Sequence, residues 1–177
     1  MFYKKYNVKI IVVTGLFFLC SIALVLWGGY RIFAYIKFDL ECGDYLKTAA
    51  RAEMVELAKE QLEIAVTYME EKGLTDGYTS VLWETPNEDV GFWYANISSR
   101  LQELKDLPLD ATSAEKSDML MRLKKTLLFD ASSCCSSVII PWGISVYPYN
   151  VPLACGALLA FVYVLFVFFF YKPKHDE

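Results

Sequence analysis

Four glutamates at helical spacing are the residues best suited to bind a metal or to do acid–base chemistry. Glu53, Glu56, Glu60 and Glu63 lie three or four residues apart, so that on a helix their carboxylates share one face. Such carboxylates can hold a divalent cation or a di-metal centre, which usually includes histidines as well. The only histidine of the chain, His175, lies in its C-terminal tail. We therefore interpret the glutamates as a solvated helix face.

The same shortage of histidine limits nucleophilic catalysis. A serine or cysteine nucleophile needs a neighbouring base, and one histidine near the C-terminus cannot serve the central region of this sequence. The chain also has no glycine-rich loop of the kind that cradles phosphate groups. The sequence therefore predicts a protein that is not an enzyme and has no catalytic residue, cofactor or metal site.

The five cysteines fall into two groups. Cys20 and Cys155 lie inside apolar segments, where a thiol usually packs as a small side chain. Cys42, Cys134 and Cys135 lie outside those segments, near the two ends of the central region. In an oxidising compartment Cys42 can pair with Cys134 or Cys135, whereas in a reducing one all three stay free thiols. Zinc-ligand spacing is absent.

Aromatic residues form the most distinctive cluster of the central region. Tyr78, Trp83, Phe92 and Trp93 lie within 16 positions of one another, and they are either part of the core or a surface for a partner protein or an apolar ligand. Nearby, Asn96 begins an Asn-Ile-Ser triplet that matches a glycosylation sequon and matters only in a eukaryotic secretory pathway.

Two uncharged apolar segments predict transmembrane helices. Residues 10–30 and 149–171 contain no ionisable acidic or basic side chain, and each is long enough to cross a hydrocarbon core of roughly 30 Å. The first segment exceeds a typical signal-peptide core, ends with the aromatic residues Trp27 and Tyr30 and is followed by Arg31, so we expect an uncleaved signal anchor. In the second, Gly156 and Ala160 have the small-xxx-small spacing that favours close helix contacts.

Charge distribution predicts the orientation of the chain. Three lysines precede the first span and two follow the second, whereas only Arg31 and Lys37 lie near a membrane end of the central region. This bias favours two cytoplasmic tails. Residues 38–148 carry 19 acidic and 10 basic side chains, a net charge of −9 within a chain of net charge −4. The acidic balance argues against nucleic acid as a partner.

The predicted organisation is mainly α-helical, with two transmembrane helices flanking an extracytoplasmic bundle of about three amphipathic helices. Periodic apolar positions predict one long helix over residues 45–72, a second over residues 86–106 that is capped by Thr85, and a third from Thr112 or Ser113. An extended apolar segment precedes the second span. The predicted boundaries, from tail to tail, are 1–9, 10–33, 34–148, 149–171 and 172–177.

This layout resembles the sensory half of bacterial two-span receptors, a likeness of topology alone. Only five residues follow Lys172, so we expect any output to pass through a partner. We predict a non-enzymatic accessory or structural subunit of the bacterial inner membrane, with a periplasmic or extracellular central domain. Its expected partners are lipids and other membrane subunits or further copies of itself. The alternative is a ligand-sensing module that regulates a separate membrane effector.

Overall fold

The computed structural model describes residues 2–108, 110–128 and 138–170, with side chains from residue 11 to residue 169. The chain is mainly helical and divides into two compact units. Unit 1 comprises Met1–Phe33 and Tyr149–Glu177, and unit 2 comprises Ala34–Pro148. Each unit is described separately below.

Unit 1 contains two helices that are long and apolar enough to cross a membrane. Helix α1 spans Phe2–Phe38 and continues into unit 2, and helix α6 spans Asn150–Phe170. The two helices contact each other, because the Tyr163 hydroxyl donates a hydrogen bond of 3.3 Å to the Val13 carbonyl oxygen. Their large apolar side chains are mostly exposed, as expected for surfaces that face lipid.

Unit 2 begins with a π-helical segment, Asp39–Gly43, followed by α2 (Asp44–Arg51) and α3 (Val55–Glu71). The prediction of one continuous helix over residues 45–72 is therefore wrong. The chain becomes extended at Ala52 and Met54, and α2 folds back on α3. This reversal lets two alanine-rich faces bury each other, whereas a single straight helix would leave both in water.

Helices α4 (Val90–Lys105) and α5 (Ser113–Leu127) complete unit 2. The start predicted for α4 is wrong, because Pro86–Glu88 forms a short 3₁₀ helix and Asp89, whose carboxylate accepts a hydrogen bond from the Phe92 amide, is the N-cap. The start predicted for α5 is confirmed, since Thr112 and Glu115 form a reciprocal capping box that satisfies two backbone N–H groups.

The core of unit 2 lies between α2, α3, α4 and α5. Its fully buried side chains belong to all four helices and to the π-helical segment; the largest are Leu46, Leu62, Met69, Ile97, Leu123, Leu127, Val90 and Cys42. Polar contacts join the helices at the edge of this core. Glu63 of α3 accepts a hydrogen bond of 2.7 Å from Lys105 of α4, and Arg100 of α4 donates one of 3.0 Å to Thr126 of α5.

Candidate interaction surfaces

The glutamates at helical spacing are exposed. Glu53 lies in the turn between α2 and α3, while Glu56, Glu60 and Glu63 lie on the outer side of α3. Among the described residues no group of acidic, histidine or cysteine side chains could hold a metal ion. The hydrogen bond from Lys105 lowers the pKa of Glu63, as a nearby cation does for any carboxylate.

An acidic groove lies between the π-helical segment and α3. Its volume is about 530 Å³, and its lining combines four glutamates, two tyrosines and two aliphatic residues with one threonine: Leu40, Glu41, Tyr45, Glu60, Glu63, Ile64, Thr67, Tyr68 and Glu71. Leu40 is 61% exposed, and Ile64 is 39% exposed. The groove therefore offers apolar contact area beside carboxylates that lie at the surface.

One wall of this groove depends on the unusual backbone of the π-helical segment. The Asp39 carboxylate lies against Gly43, where any Cβ atom would collide with it. In that position it accepts a hydrogen bond of 2.7 Å from Lys47, which raises the pKa of Lys47. The five-residue segment thus turns Leu40 and Glu41 toward α3, and π-helical turns of this kind are common at functional sites.

Tyr68 forms the floor of the acidic groove. Its ring packs edge-to-face on Phe38, with the ring centroids 6.1 Å apart, and Lys72 approaches the ring to 5.8 Å. Burial, followed by the negative charge of Glu41, raises the pKa of Tyr68 to about 12. The hydroxyl therefore stays protonated at neutral pH and donates a hydrogen bond to Glu41. Sequence reasoning missed this groove, since its two walls come from segments predicted to belong to different elements.

The four aromatic residues, for which the sequence allows either a core or a surface role, have different environments. Trp93 is 6% exposed and belongs to the core, with its indole N–H donating a hydrogen bond of 2.8 Å to the Ile139 carbonyl oxygen. Trp83 is 77% exposed, while Phe92 and Tyr78 are also exposed. A small cavity of about 150 Å³ brings Phe92 and Trp93 together, but Tyr78 and Trp83 are not part of its lining.

The sequon at Asn96 lies within α4, where the Asn96 amide donates a hydrogen bond to the Phe92 carbonyl oxygen and Ile97 is buried in the core. A glycosylation acceptor normally occupies a surface loop. The helical setting therefore disfavours modification of Asn96 in the folded chain.

Of the three cysteines considered for a disulfide bond, only Cys42 lies within the described residues. Cys42 is fully buried, and burial raises the pKa of its thiol to about 12. A thiol in this state reacts slowly, because the thiolate is the reactive form. Cys134 and Cys135 lie outside the described residues, so their pairing with Cys42 stays a prediction.

The small residues of α6 line an apolar groove on unit 1. Gly156 and Ala160 share this groove, whose volume is about 270 Å³, with Ala23, Leu24 and Trp27 of α1. A Cβ atom added at Gly156 would meet no atom within 4 Å. Gly156 therefore leaves room beside α1 that a larger side chain could partly fill.

Protein-family models, curated proteins and solved structures were all compared with this chain, and none of them matches it.

Proposed function

We propose that this chain is a non-enzymatic subunit of a membrane protein complex, with α1 and α6 in the bilayer and Ala34–Pro148 on the extracytoplasmic side. The observation that carries the proposal is the acidic groove. This groove places aliphatic and aromatic side chains, among them the exposed Leu40 and Ile64, beside four carboxylates. Such a mixture is typical of a surface that contacts another protein.

The charge of the groove defines the partner. Glu60 and Glu71 are exposed, and in the described part of the chain neither forms an ion pair. A partner segment with lysine or arginine beside apolar residues would match both properties of the groove, because opposite potentials steer association and fix its register. We therefore expect a basic, partly apolar segment of another membrane protein.

The apolar groove on unit 1 supports the same role. It is lined by alanine, glycine and leucine with one proline and one tryptophan, and small residues such as glycine and alanine allow another helix to approach closely within a bilayer. A subunit that assembles through its membrane helices needs such a surface.

Site-specific photo-crosslinking in native membranes would test the proposal. A photoreactive amino acid at Ile64, in the acidic groove, should give a discrete crosslinked product. The same amino acid at Met121, which is exposed on α5, is the matched control and should give less product. The basic segment of the partner should then be found by sequencing the crosslinked peptide.

Charge variants would sharpen this test. Glu60→Lys should abolish the Ile64 crosslink by repulsion, whereas Glu60→Gln should weaken it only modestly. Equal crosslinking at Ile64 and Met121, or a crosslink unaffected by Glu60→Lys, would contradict the proposed surface.

A ligand-sensing module is the second candidate function, and the size of the acidic groove favours it. Small-molecule sites commonly enclose roughly 300–1,000 Å³, a range that includes the groove's volume of about 530 Å³. Its carboxylates and tyrosines would suit an organic amine. Thermal unfolding of the solubilised full chain with spermidine would test this idea, and an unchanged midpoint at saturating amine would contradict it.

A further inference from the structure

A short arm, defined here as residues 78–89, projects from unit 2 between α3 and α4. The outgoing and returning backbone of the arm are joined at the base by an isolated antiparallel β-bridge between Tyr78 and Asp89. The Thr79 amide donates a hydrogen bond of 3.0 Å to the Glu88 carbonyl oxygen. Thr79 is buried at 3% exposure, and the adjoining Val90 is fully buried. The base of the arm is thus fixed to the core.

The tip of the arm exposes apolar side chains without any covering from unit 2. Residues 81–87 are all exposed, and among them Leu82 is 78% exposed and Trp83 is 77% exposed. Such exposure of a leucine and an adjacent tryptophan is unfavourable, because neither side chain gains the free energy of burial away from water. A fixed base with an apolar tip is the arrangement expected of an anchor that enters another phase or surface.

The base of the arm lies against the segment through which the chain leaves unit 2. The Tyr147 hydroxyl donates a hydrogen bond of 2.8 Å to the Asp76 carbonyl oxygen, and its ring lies beside Gly77. Tyr147 precedes Pro148, the last residue of unit 2, and α6 begins two positions later, at Asn150. The arm is therefore tied to the backbone that leads directly into the second apolar helix.

The returning side of the arm contacts the same exit segment. Pro86 and Asn87 line the small cavity together with Ile139 and Pro141. The next residue, Trp142, is 78% exposed. Trp83 of the arm and Trp142 of the exit segment are thus both exposed, and tryptophan is enriched where proteins meet the membrane–water interface.

The charge of the arm indicates which kind of surface the arm can contact. Between Gly73 and Ser99 the chain has no lysine or arginine, and the arm contains Glu84, Glu88 and Asp89. Attraction to anionic lipid headgroups therefore cannot hold it. The surface it suits is a neutral one into which apolar side chains partition.

We propose that the arm is an interfacial anchor, whose Leu82 and Trp83 enter the boundary between headgroups and acyl chains of the bilayer that α1 and α6 cross. The inference rests on the two apolar helices being in a membrane, which is part of the proposed function, and not on any partner protein. It adds a third attachment of the chain to the bilayer.

Spin-label accessibility in lipid nanodiscs would test the anchor. The full chain is reconstituted in phosphatidylcholine with Cys20, Cys134, Cys135 and Cys155 replaced by serine, while Cys42, fully buried, is retained. A nitroxide is attached to Leu82→Cys. The matched control is Met54→Cys, because Met54 is an apolar residue of 61% exposure at the α2–α3 turn.

We expect the label at position 82 to relax several-fold more with oxygen than with an aqueous nickel complex, and the label at position 54 to show the reverse. Raising the ionic strength should leave this difference unchanged, because apolar partition is not screened by salt. Equal nickel accessibility at both positions in folded chains would overturn the anchor, as would release of position 82 by salt. Failure of the Ile64 crosslink alone would remove the partner proposal and leave the anchor intact.

Discussion

Two tryptophans ten positions apart divide unit 2 into regions with opposite properties. Trp93 is 6% exposed and directs its indole N–H to a backbone carbonyl oxygen, whereas Trp83 is 77% exposed at the tip of the arm. Their residue type is the same, so the difference lies in what surrounds them. The core-facing apolar residues of α4 are buried inside unit 2, whereas Leu82 and Trp83 of the arm are exposed.

Alanine substitution of the two tryptophans should give the largest contrast. Trp93→Ala should lower the free energy of unfolding by about 3–5 kcal/mol, since it removes a large core side chain. Trp83→Ala should change it by no more than about 0.5 kcal/mol in detergent, as expected for a surface position. Chemical denaturation of the solubilised chain, followed by circular dichroism, would measure both. Equal losses would show that the arm belongs to the core.

Substitution of a glycine next to the base of the arm should give the next largest loss of stability. Gly77 has a φ of +85°, and a Cβ atom there would collide with the Tyr147 hydroxyl. Gly77→Ala should therefore cost roughly 1–3 kcal/mol of stability. Gly73→Ala is the matched control, because Gly73 also has a positive φ, +66°, but has open space around its Cβ position. The excess loss in Gly77→Ala measures the contact with Tyr147, and no excess would mean that the arm is not held there.

The sequence predicts that Thr85 and Thr112 each cap an α-helix, but only Thr112 does so in the structure. Replacing the two threonines should therefore have different effects on stability. Thr112→Ala should destabilise the chain by about 1 kcal/mol, because it removes one half of the capping box of α5. Thr85→Ala should have a smaller effect, since Asp89 rather than Thr85 caps α4. Thermal unfolding of both variants would rank them, and a larger loss from Thr85→Ala would contradict the observed start of α4.

The smallest expected effect is a pH dependence at the same cap. The Thr112 backbone N–H, followed by the Thr112 hydroxyl, lowers the pKa of Glu115 below its usual value of 4.5. A carboxyl whose pKa is lower in the folded chain stabilises the fold above its unfolded pKa, and this contribution is lost as the pH falls through the folded pKa. The stability difference between the wild-type chain and Glu115→Gln should therefore be constant near neutral pH and shrink below about pH 4.5.

If the difference in stability between the wild-type chain and Glu115→Gln stayed constant in acid, the carboxylate charge would not contribute to the capping interaction.

Sequence patterns predicted the elements that local chemistry determines. The uncharged segments gave two helices that are long and apolar enough to cross a membrane, and the Thr112–Glu115 spacing gave the start of α5. The exposed glutamates of α3 were also predicted. In each case the signal lies within a few turns of one helix.

The features that sequence reasoning missed depend on contacts between distant segments. No glycine or proline marks the break at Ala52 and Met54. The burial of α2 against α3 favours this break, and the local sequence does not reveal that contact. At the π-helical segment, Lys47 reaches back eight positions to donate a hydrogen bond to Asp39. The acidic groove requires both features, so no local pattern could indicate it. Trp93 and Trp83 likewise differ through contacts that their residue type does not reveal.

The hydrogen bond from Tyr147 to Asp76 has a consequence for how the chain is made. It joins residues separated by 71 positions, so the base of the arm cannot be completed until nearly all of unit 2 has been synthesised. Contacts of such sequence separation form late, since their loop-closure entropy opposes them. Because Tyr147 is followed almost at once by α6, this contact can form only when synthesis of the chain has nearly reached the second apolar helix.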